Sequence, residues 1–146
     1  MTGIRWIKMT DEEIDDLLGQ GGTGVISFAT EPTEPPLSFP VSYGYDRETS
    51  VFYFRLAFPV DSHKEDAIDD AVSFVVHRET AAGWRSVIVT GELEPLADLP
   101  YHSTAIQGMW AVQIPAVDIF DRPREEIEFR DFCLEPNRMS GRKALE

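Results

Sequence analysis

The chain consists largely of strand-like segments joined by short connections, and this arrangement limits the folds open to it. Each segment alternates apolar and polar residues or is rich in β-branched and aromatic residues. Most connections are too short for the crossover that parallel strands need. We predict strands at 24–30, 37–46, 51–58, 71–79, 84–96 and 125–136. Because closing such a sheet removes its exposed edges, we expect a mainly β fold, a six-stranded antiparallel barrel with a few short helices, in one domain over residues 1–146.

Two segments carry helix-start signals. Thr10 and Glu13 are spaced as a capping box, and the glycine-rich run that begins at Gly19 should end this first helix. The segment 61–70 repeats the pattern, with Ser62 followed three residues later by an acidic residue. We therefore predict a short helix after Thr10 and a second one over 61–70.

Pro40 lies inside the predicted strand at 37–46. Proline has no N–H to donate to a ladder, so it disfavours a central position in a sheet. A bulge or a bound ligand beside Pro40 would remove the conflict.

The net charge excludes one class of partner. The chain has 26 acidic and 13 basic residues, which gives a formal net charge of -13. A field of this sign repels polyphosphate backbones, so we expect no nucleic-acid partner. The acidic residues are dispersed along the chain, as in salt-adapted proteins, and we interpret the source as halophilic.

Composition also bears on location and on metals. No apolar run approaches the ~20 residues needed to cross a bilayer, and the start of the chain has no signal-peptide pattern, so we expect a cytoplasmic protein without membrane contact. Cys133 is the sole cysteine, and we interpret it as a buried apolar residue rather than a reactive thiol. His63, His77 and His102 lack metal-ligand spacing, so no metal site is predicted.

Ser62, His63 and Lys64 stand where the second predicted helix begins. A helix N-terminus offers unpaired N–H groups and a partial positive charge, and these side chains add donors in the same place. This combination is typical of a phosphate site. Ordinary helix capping with a solvated lysine explains the same residues.

From the strand LSFPVSYGYD through WRSVIVTGELEPL, and more weakly to the MSGRK ending, the order of elements resembles the pyridoxamine 5'-phosphate oxidase-like superfamily of FMN-binding split β-barrels. The small nitroimidazole-resistance-type members are the most similar. The resemblance implies FMN as cofactor, with one strand along the flavin, a phosphate-gripping element and a later strand against the ring. Carried over by position, these elements are Pro40, Val41, Ser42 and Tyr43; Ser62, His63 and Lys64; and Trp84, Arg85 and Ser86.

Some of these residues have a plain structural alternative. Tyr43 can simply pack in a core, and Trp84 can be a partly buried anchor. One position departs from the family pattern, because Arg55 stands where nitroimidazole-resistance-type members carry a histidine. Arginine cannot exchange protons at neutral pH, although its donor fork suits phosphate or carboxylate. Arg55 is therefore a candidate ligand for an anion, or a charge on the outer barrel face.

The resemblance implies a homodimer with the cofactor between subunits. Trp110 and Phe120 are candidate interface anchors, and plain core packing explains them equally well. The implied function is a flavoprotein oxidoreductase that passes electrons from a reduced nicotinamide donor to a small-molecule substrate. No catalytic side chain is assigned. The alternatives are a noncatalytic flavin carrier or sensor, and a barrel that binds deazaflavin or haem.

The halophilic interpretation makes a testable prediction. Molar KCl should raise the melting temperature, because counterions screen the mutual repulsion of the acidic side chains. Thermal unfolding followed by circular dichroism over a KCl series measures this, and a melting temperature that stays level or falls would contradict it.

Overall fold

The computed structural model describes residues 5–59, 71–96 and 127–145, without the side chains of residues 5, 57–59, 127–129 and 145. The predicted helix at 61–70 lies outside the described residues. The elements in the described part are β1 (Arg5–Lys8), α1 (Asp11–Leu18), β2 (Gly21–Phe28), β3 (Leu37–Asp46), β4 (Val51–Pro59), β5 (Ala71–Thr80), β6 (Gly83–Pro95) and β7 (Ile127–Leu145). All six predicted strands are confirmed, and β1 is an additional strand that the sequence did not indicate.

The strands form a closed antiparallel barrel, as predicted. Their order is β1-β7-β4-β3-β2-β5-β6, and β6 pairs again with β7. This second pairing closes a ring of six strands, while β1 extends the edge of β7. Within the described ranges α1 is the one helix, and no helix there is long and apolar enough to cross a bilayer.

β3 and β4 separate part of the way along their length. β3 pairs with β2 over Leu37–Gly44 but with β4 only over Tyr43–Asp46. β4 pairs with β7 along its other edge over Phe52–Pro59, so beyond Phe54 β7 is its one strand partner among the described residues. We call the gap between residues 37–42 of β3 and residues 55–59 of β4 the β3–β4 opening. Pro40 lies on this part of β3, where it is opposite Val25 of β2 and has no second strand partner among the described residues, so its missing N–H removes no described ladder bond on the β4 side.

Aromatic rings fill the barrel interior. Phe74 packs against Tyr43, Phe52 and Phe54, with ring centroids 5.4, 5.7 and 4.9 Å away. All four side chains are fully buried. Truncating such a ring costs about 3–5 kcal/mol in other cores, so this cluster is a major part of what stabilises the barrel.

β7 runs further than predicted. The sequence indicated that the last strand ends at Pro136, but the strand continues to Leu145 and includes the basic ending. Opposite it, the register shifts between Thr90 and Gly91, so that β7 carries one extra residue there. The bulge accommodates Pro136 without a ladder donor. A Cβ on Gly91 would come within 2.8 Å of Leu134, so only glycine fits at this crowded crossing.

α1 covers one end of the barrel. The capping box of Thr10 and Glu13 is present as predicted, and α1 ends before Gly19. At the C-terminal end of α1, the Tyr43 hydroxyl donates to the Leu18 carbonyl (2.9 Å) and Arg78 Nη1 donates to the Leu17 carbonyl (3.1 Å). A cation beside the last carbonyls of a helix also interacts favourably with the negative end of the helix dipole.

Glu13 fastens the start of α1 to the strands below it. Its carboxylate forms an ion pair with Lys143 of β7 and a second, at 3.6 Å, with Arg85 of β6. The hydrogen bond from Lys143 is the main reason that the pKa of Glu13 falls to about 2, with help from the Thr10 amide. The carboxylate therefore favours the folded state wherever it is ionised.

We predict that Glu13→Gln destabilises the protein at neutral pH. In the parent, the stabilisation by Glu13 is complete above the unfolded pKa of about 4.5 and is lost as the pH falls towards about 2. The variant should therefore show a flatter loss of stability across this window. Urea unfolding at a series of pH values measures it, with Glu12→Gln as the exposed control on the same turn. Identical pH profiles for parent and Glu13→Gln would contradict the assignment.

Candidate functional site

The four candidate residues on β3 divide between the two faces of the strand. Pro40 is exposed and Ser42 is half-buried, and both point away from the barrel. Val41 packs against the core and Tyr43 is fully buried within it. Side chains alternate along a strand, so a ligand outside the barrel meets the first pair directly and the second pair only through the backbone.

Tyr43 has a structural part in the barrel. Besides donating to α1, its hydroxyl accepts a hydrogen bond from Arg78 Nη2 at 3.3 Å. Burial raises the pKa of Tyr43, so the phenol stays neutral. These contacts support the interpretation that Tyr43 packs in the core.

Arg55 lies on the outer face of β4, where that strand borders the β3–β4 opening. Its Nε and Nη2 atoms contact the two carboxylate oxygens of Asp131 at 2.9 and 3.5 Å, and the two residues are directly opposite across β4 and β7. Just over half of the Arg55 side chain remains exposed (54%). The guanidinium is thus held in one orientation by Asp131 and still reaches the surface.

The three candidates on β6 are also divided. Trp84 and Ser86 face outward, and Trp84 is 44% exposed and stacks on His77 with ring centroids 4.7 Å apart. Arg85 points to the end of the barrel that α1 covers, where it pairs with Glu13. Its Nε atom is buried and has no hydrogen-bond partner among the described residues. Of the three consecutive candidates, Trp84 and Ser86 are therefore surface residues, and Arg85 helps to hold α1.

The outward candidates on β3 and β6 lie on opposite walls. The ring order is β7-β4-β3-β2-β5-β6, so three strand spacings separate β3 from β6 in either direction. Side chains that leave the barrel from opposite walls point away from each other. One chain therefore brings Pro40, Ser42 and Arg55 to one side and Trp84 and Ser86 to the other.

The remaining candidates cannot be placed. Ser62, His63 and Lys64, predicted to hold a phosphate, lie outside the described residues. The same is true of Trp110 and Phe120, the predicted interface anchors. The phosphate site and these anchors therefore stay predictions.

Other reactive groups in the described part are few. Residues 5–59, 71–96 and 127–145 contain no group of three or more side chains that could hold a metal ion. Cys133 is buried, and burial together with Glu94 and Glu135 raises its pKa to about 11. The thiol stays protonated at neutral pH, which confirms the interpretation of Cys133 as an unreactive buried residue.

Sequence reasoning missed two neighbours of the candidate residues. His77 was weighed only as a metal ligand, although its place directly after the buried Val76 in an alternating strand could have shown it on the outer face. Asp131 orients Arg55, but their pairing depends on the register between β4 and β7, for which the sequence carries no local signal.

Comparison with known proteins agrees with this architecture. The family described as pyridoxamine 5'-phosphate oxidase matches residues 10–143. No curated protein sequence matches the chain.

Several solved structures share the fold. A FAD-binding protein from Mesorhizobium loti is 20% identical, with a TM-score of 0.66 over 99% of this chain and 100% of its own. A candidate 5-nitroimidazole antibiotic resistance protein from Bacteroides thetaiotaomicron is 15% identical, with a TM-score of 0.65 over 99% and 93%. A haem-binding protein from Mycobacterium smegmatis is 14% identical, with a TM-score of 0.61 over 92% of this chain and 57% of its own.

At these identities the structures establish the fold alone, and it is a fold that serves both flavin-binding and haem-binding proteins. The match over residues 10–143 covers nearly the whole chain, from the cap of α1 to the end of the barrel. The chain therefore belongs to the pyridoxamine 5'-phosphate oxidase family.

Proposed function

We propose that this protein binds FMN and acts as an oxidoreductase, passing electrons from a reduced nicotinamide donor to a small acceptor. The observation that carries the proposal is the β3–β4 opening. Over residues 37–42 one edge of β3 has no strand partner in the described part of the chain, so its backbone N–H and C=O groups need other partners. The polar edge of a flavin ring, which both donates and accepts hydrogen bonds, suits such an edge.

The side chains around the opening suit an anionic, aromatic cofactor. Ser42 supplies a hydroxyl and Arg55 a fixed, partly exposed positive charge on the neighbouring strand. Pro40 has no N–H to leave unpaired, so it fits the rim of a ligand site. Lys64, proposed to hold the phosphate, follows β4 along the chain. The FAD-binding protein from Mesorhizobium loti shares the fold, which supports a flavin here.

We further propose that the cofactor lies between two copies of the chain. The proposed flavin residues on β3 and β4 and those on β6 leave opposite walls of one barrel. One flavin meets both sets only if β6 of a second copy lies across the β3–β4 opening of the first. A two-fold dimer creates two such sites, each built from both copies.

Bound FMN would supply the redox chemistry, because its ring accepts and returns electrons in pairs. The residues of the chain would hold the cofactor, orient its ring and keep water from one face. Arg55 keeps its charge, since the hydrogen bond to Asp131 raises its pKa, so it would attract an anionic group rather than exchange a proton. Trp84 of the second copy would offer an aromatic surface above the ring.

Purification distinguishes this proposal from its alternatives. A yellow protein with a flavin spectrum, bleached by NADH or NADPH and recoloured by an acceptor, is the expected result. Bound flavin that no nicotinamide reduces would indicate a carrier or sensor. A haem spectrum, or a colourless protein that ignores added FMN, would overturn the cofactor assignment.

We predict that Lys64→Ala weakens FMN binding by ~1–3 kcal/mol through loss of a charge-assisted hydrogen bond to the phosphate. Flavin fluorescence titration measures the affinity. Arg47→Ala is the matched control, because Arg47 is an exposed cation on the turn after β3, and its partners, Asp15 and Asp16, both belong to α1. Lys143 is unsuitable as a control, since it holds Glu13. Equal affinities for Lys64→Ala and the parent would remove the proposed phosphate site.

The two-copy site predicts complementation between defective variants. Ser42→Arg should block the opening in one variant, and Trp84→Ala should remove the covering ring in the other. Mixing the two under conditions that exchange subunits should restore part of the FMN-binding capacity, because a mixed dimer contains one site with both halves intact. Light scattering checks that dimers form. A mixture that binds no more FMN than the separate variants would place the site within one chain.

A further inference from the structure

A row of four side chains crosses the outer face of β1, β7, β6 and β5. Lys8 is directly opposite Arg142, Arg142 is opposite Ser86, and Ser86 is opposite His77. Residues opposite each other in antiparallel strands share a face, with Cβ atoms about 4.5–5.5 Å apart. Lys8, Arg142 and His77 are all exposed, so the row is open to solvent.

Two cations oppose each other at one end of this row. Like charges directly opposite across antiparallel strands destabilise a sheet. Neither Lys8 nor Arg142 forms an ion pair with another described residue, although the chain has 26 acidic and only 13 basic residues. An anion bound between the two would remove the repulsion and satisfy their N–H donors.

Aromatic side chains border the same two cations. The Trp84 indole lies parallel to the His77 ring, at an angle of 10°. Trp6, 44% exposed, lies two residues from Lys8 and therefore on the same face, opposite the small Ala144. Since Arg85 and Lys143 are a pair, Trp84 and Ala144 are the next positions along their strands. The two tryptophans thus flank an alanine.

The composition of this surface defines the ligand. A planar aromatic group can lie against the Trp6 indole, over Ala144, while a phosphate meets Lys8 and Arg142 at the next outward positions of the same two strands. His77 covers one face of the Trp84 indole, and the other face stays available for the flavin ring. Because the net charge of -13 repels extended polyphosphates, the ligand is a small nucleotide.

We infer that the face formed by Trp6, Lys8, Arg142 and Ala144 binds the adenylate portion of a dinucleotide. Lys8 and Arg142 hold its phosphate, and the Trp6 indole holds its base. The adenylate belongs either to FAD or to the reduced nicotinamide donor. This choice of source rests on the proposed function, whereas the adenylate site itself does not.

AMP is the probe for the intact protein without flavin. Isothermal titration should show AMP binding, with adenosine and inorganic phosphate each at least ~10-fold weaker because each makes half of the contacts. Arg142→Gln should weaken AMP binding by ~10-fold or more. Arg138→Gln is the matched control, since Arg138 is an exposed arginine on the same face of β7, opposite Thr90.

The outcomes separate cleanly. No AMP binding, or equal weakening by Arg138→Gln and Arg142→Gln, would overturn the site. Trp6→Phe tests the base contact, because AMP should quench the tryptophan fluorescence of the parent and quench it less in the variant. Unchanged melting temperatures show that these exposed substitutions leave the fold intact.

Competition then identifies the source of the adenylate. If it is FAD, the parent binds FAD more tightly than FMN and Arg142→Gln removes the difference. If it is the donor, NADH displaces AMP while FAD and FMN bind alike. Displacement of AMP by neither dinucleotide would contradict the inference. If Lys64→Ala loses FMN binding but retains AMP binding, the result bears on the proposed function and not on the adenylate site.

Discussion

The pairing of β6 with β7 is the interaction on which the rest of this structure depends. It turns a seven-stranded sheet into a closed ring of six strands with β1 at its side. Closure encloses the rings of Phe52, Phe54 and Phe74, and leaves two ends, one of which α1 covers. It also fixes which strands oppose each other, so the wall that carries Pro40 and the wall that carries Trp84 face in opposite directions.

Within this ring, the alternation of side chains assigns stability and surface chemistry to neighbouring residues. Ser42 points outward and Tyr43 inward, where it holds the end of α1. Trp84 points outward and Arg85 inward, towards Glu13. The three consecutive residues Trp84, Arg85 and Ser86 therefore combine two roles, because two of them face the surface and Arg85 holds α1. The separation of β3 from β4 leaves residues 37–42 of β3 without a strand partner on one side among the described strands.

Local signals in the sequence were sufficient for the existence of the six barrel strands, the capping box at Thr10 and the unusual place of Pro40. Long-range features were not. The sequence indicated that the last strand ends at Pro136. A bulge lets the strand continue past this proline, but the bulge depends on the partner strand and on the absence of a side chain at Gly91, which the local sequence does not show. The four residues of β1 are too few for a periodic pattern. Arg85 was grouped with Trp84 and Ser86, since its partner Glu13 is close only after the barrel has closed.

Basic residues are scarce in this chain, so their positions are informative. Arg85 and Lys143 neutralise Glu13 beneath α1, and Arg78 donates to the last turn of that helix. These cations have defined structural partners. Lys8 and Arg142 face each other on the outside without any described carboxylate, at a cost to the stability of the β1–β7 pair. A chain with twice as many acidic as basic residues could readily have placed a carboxylate at either position. An anion held between Lys8 and Arg142 would remove this repulsion, and this is the physical basis on which the adenylate site is proposed.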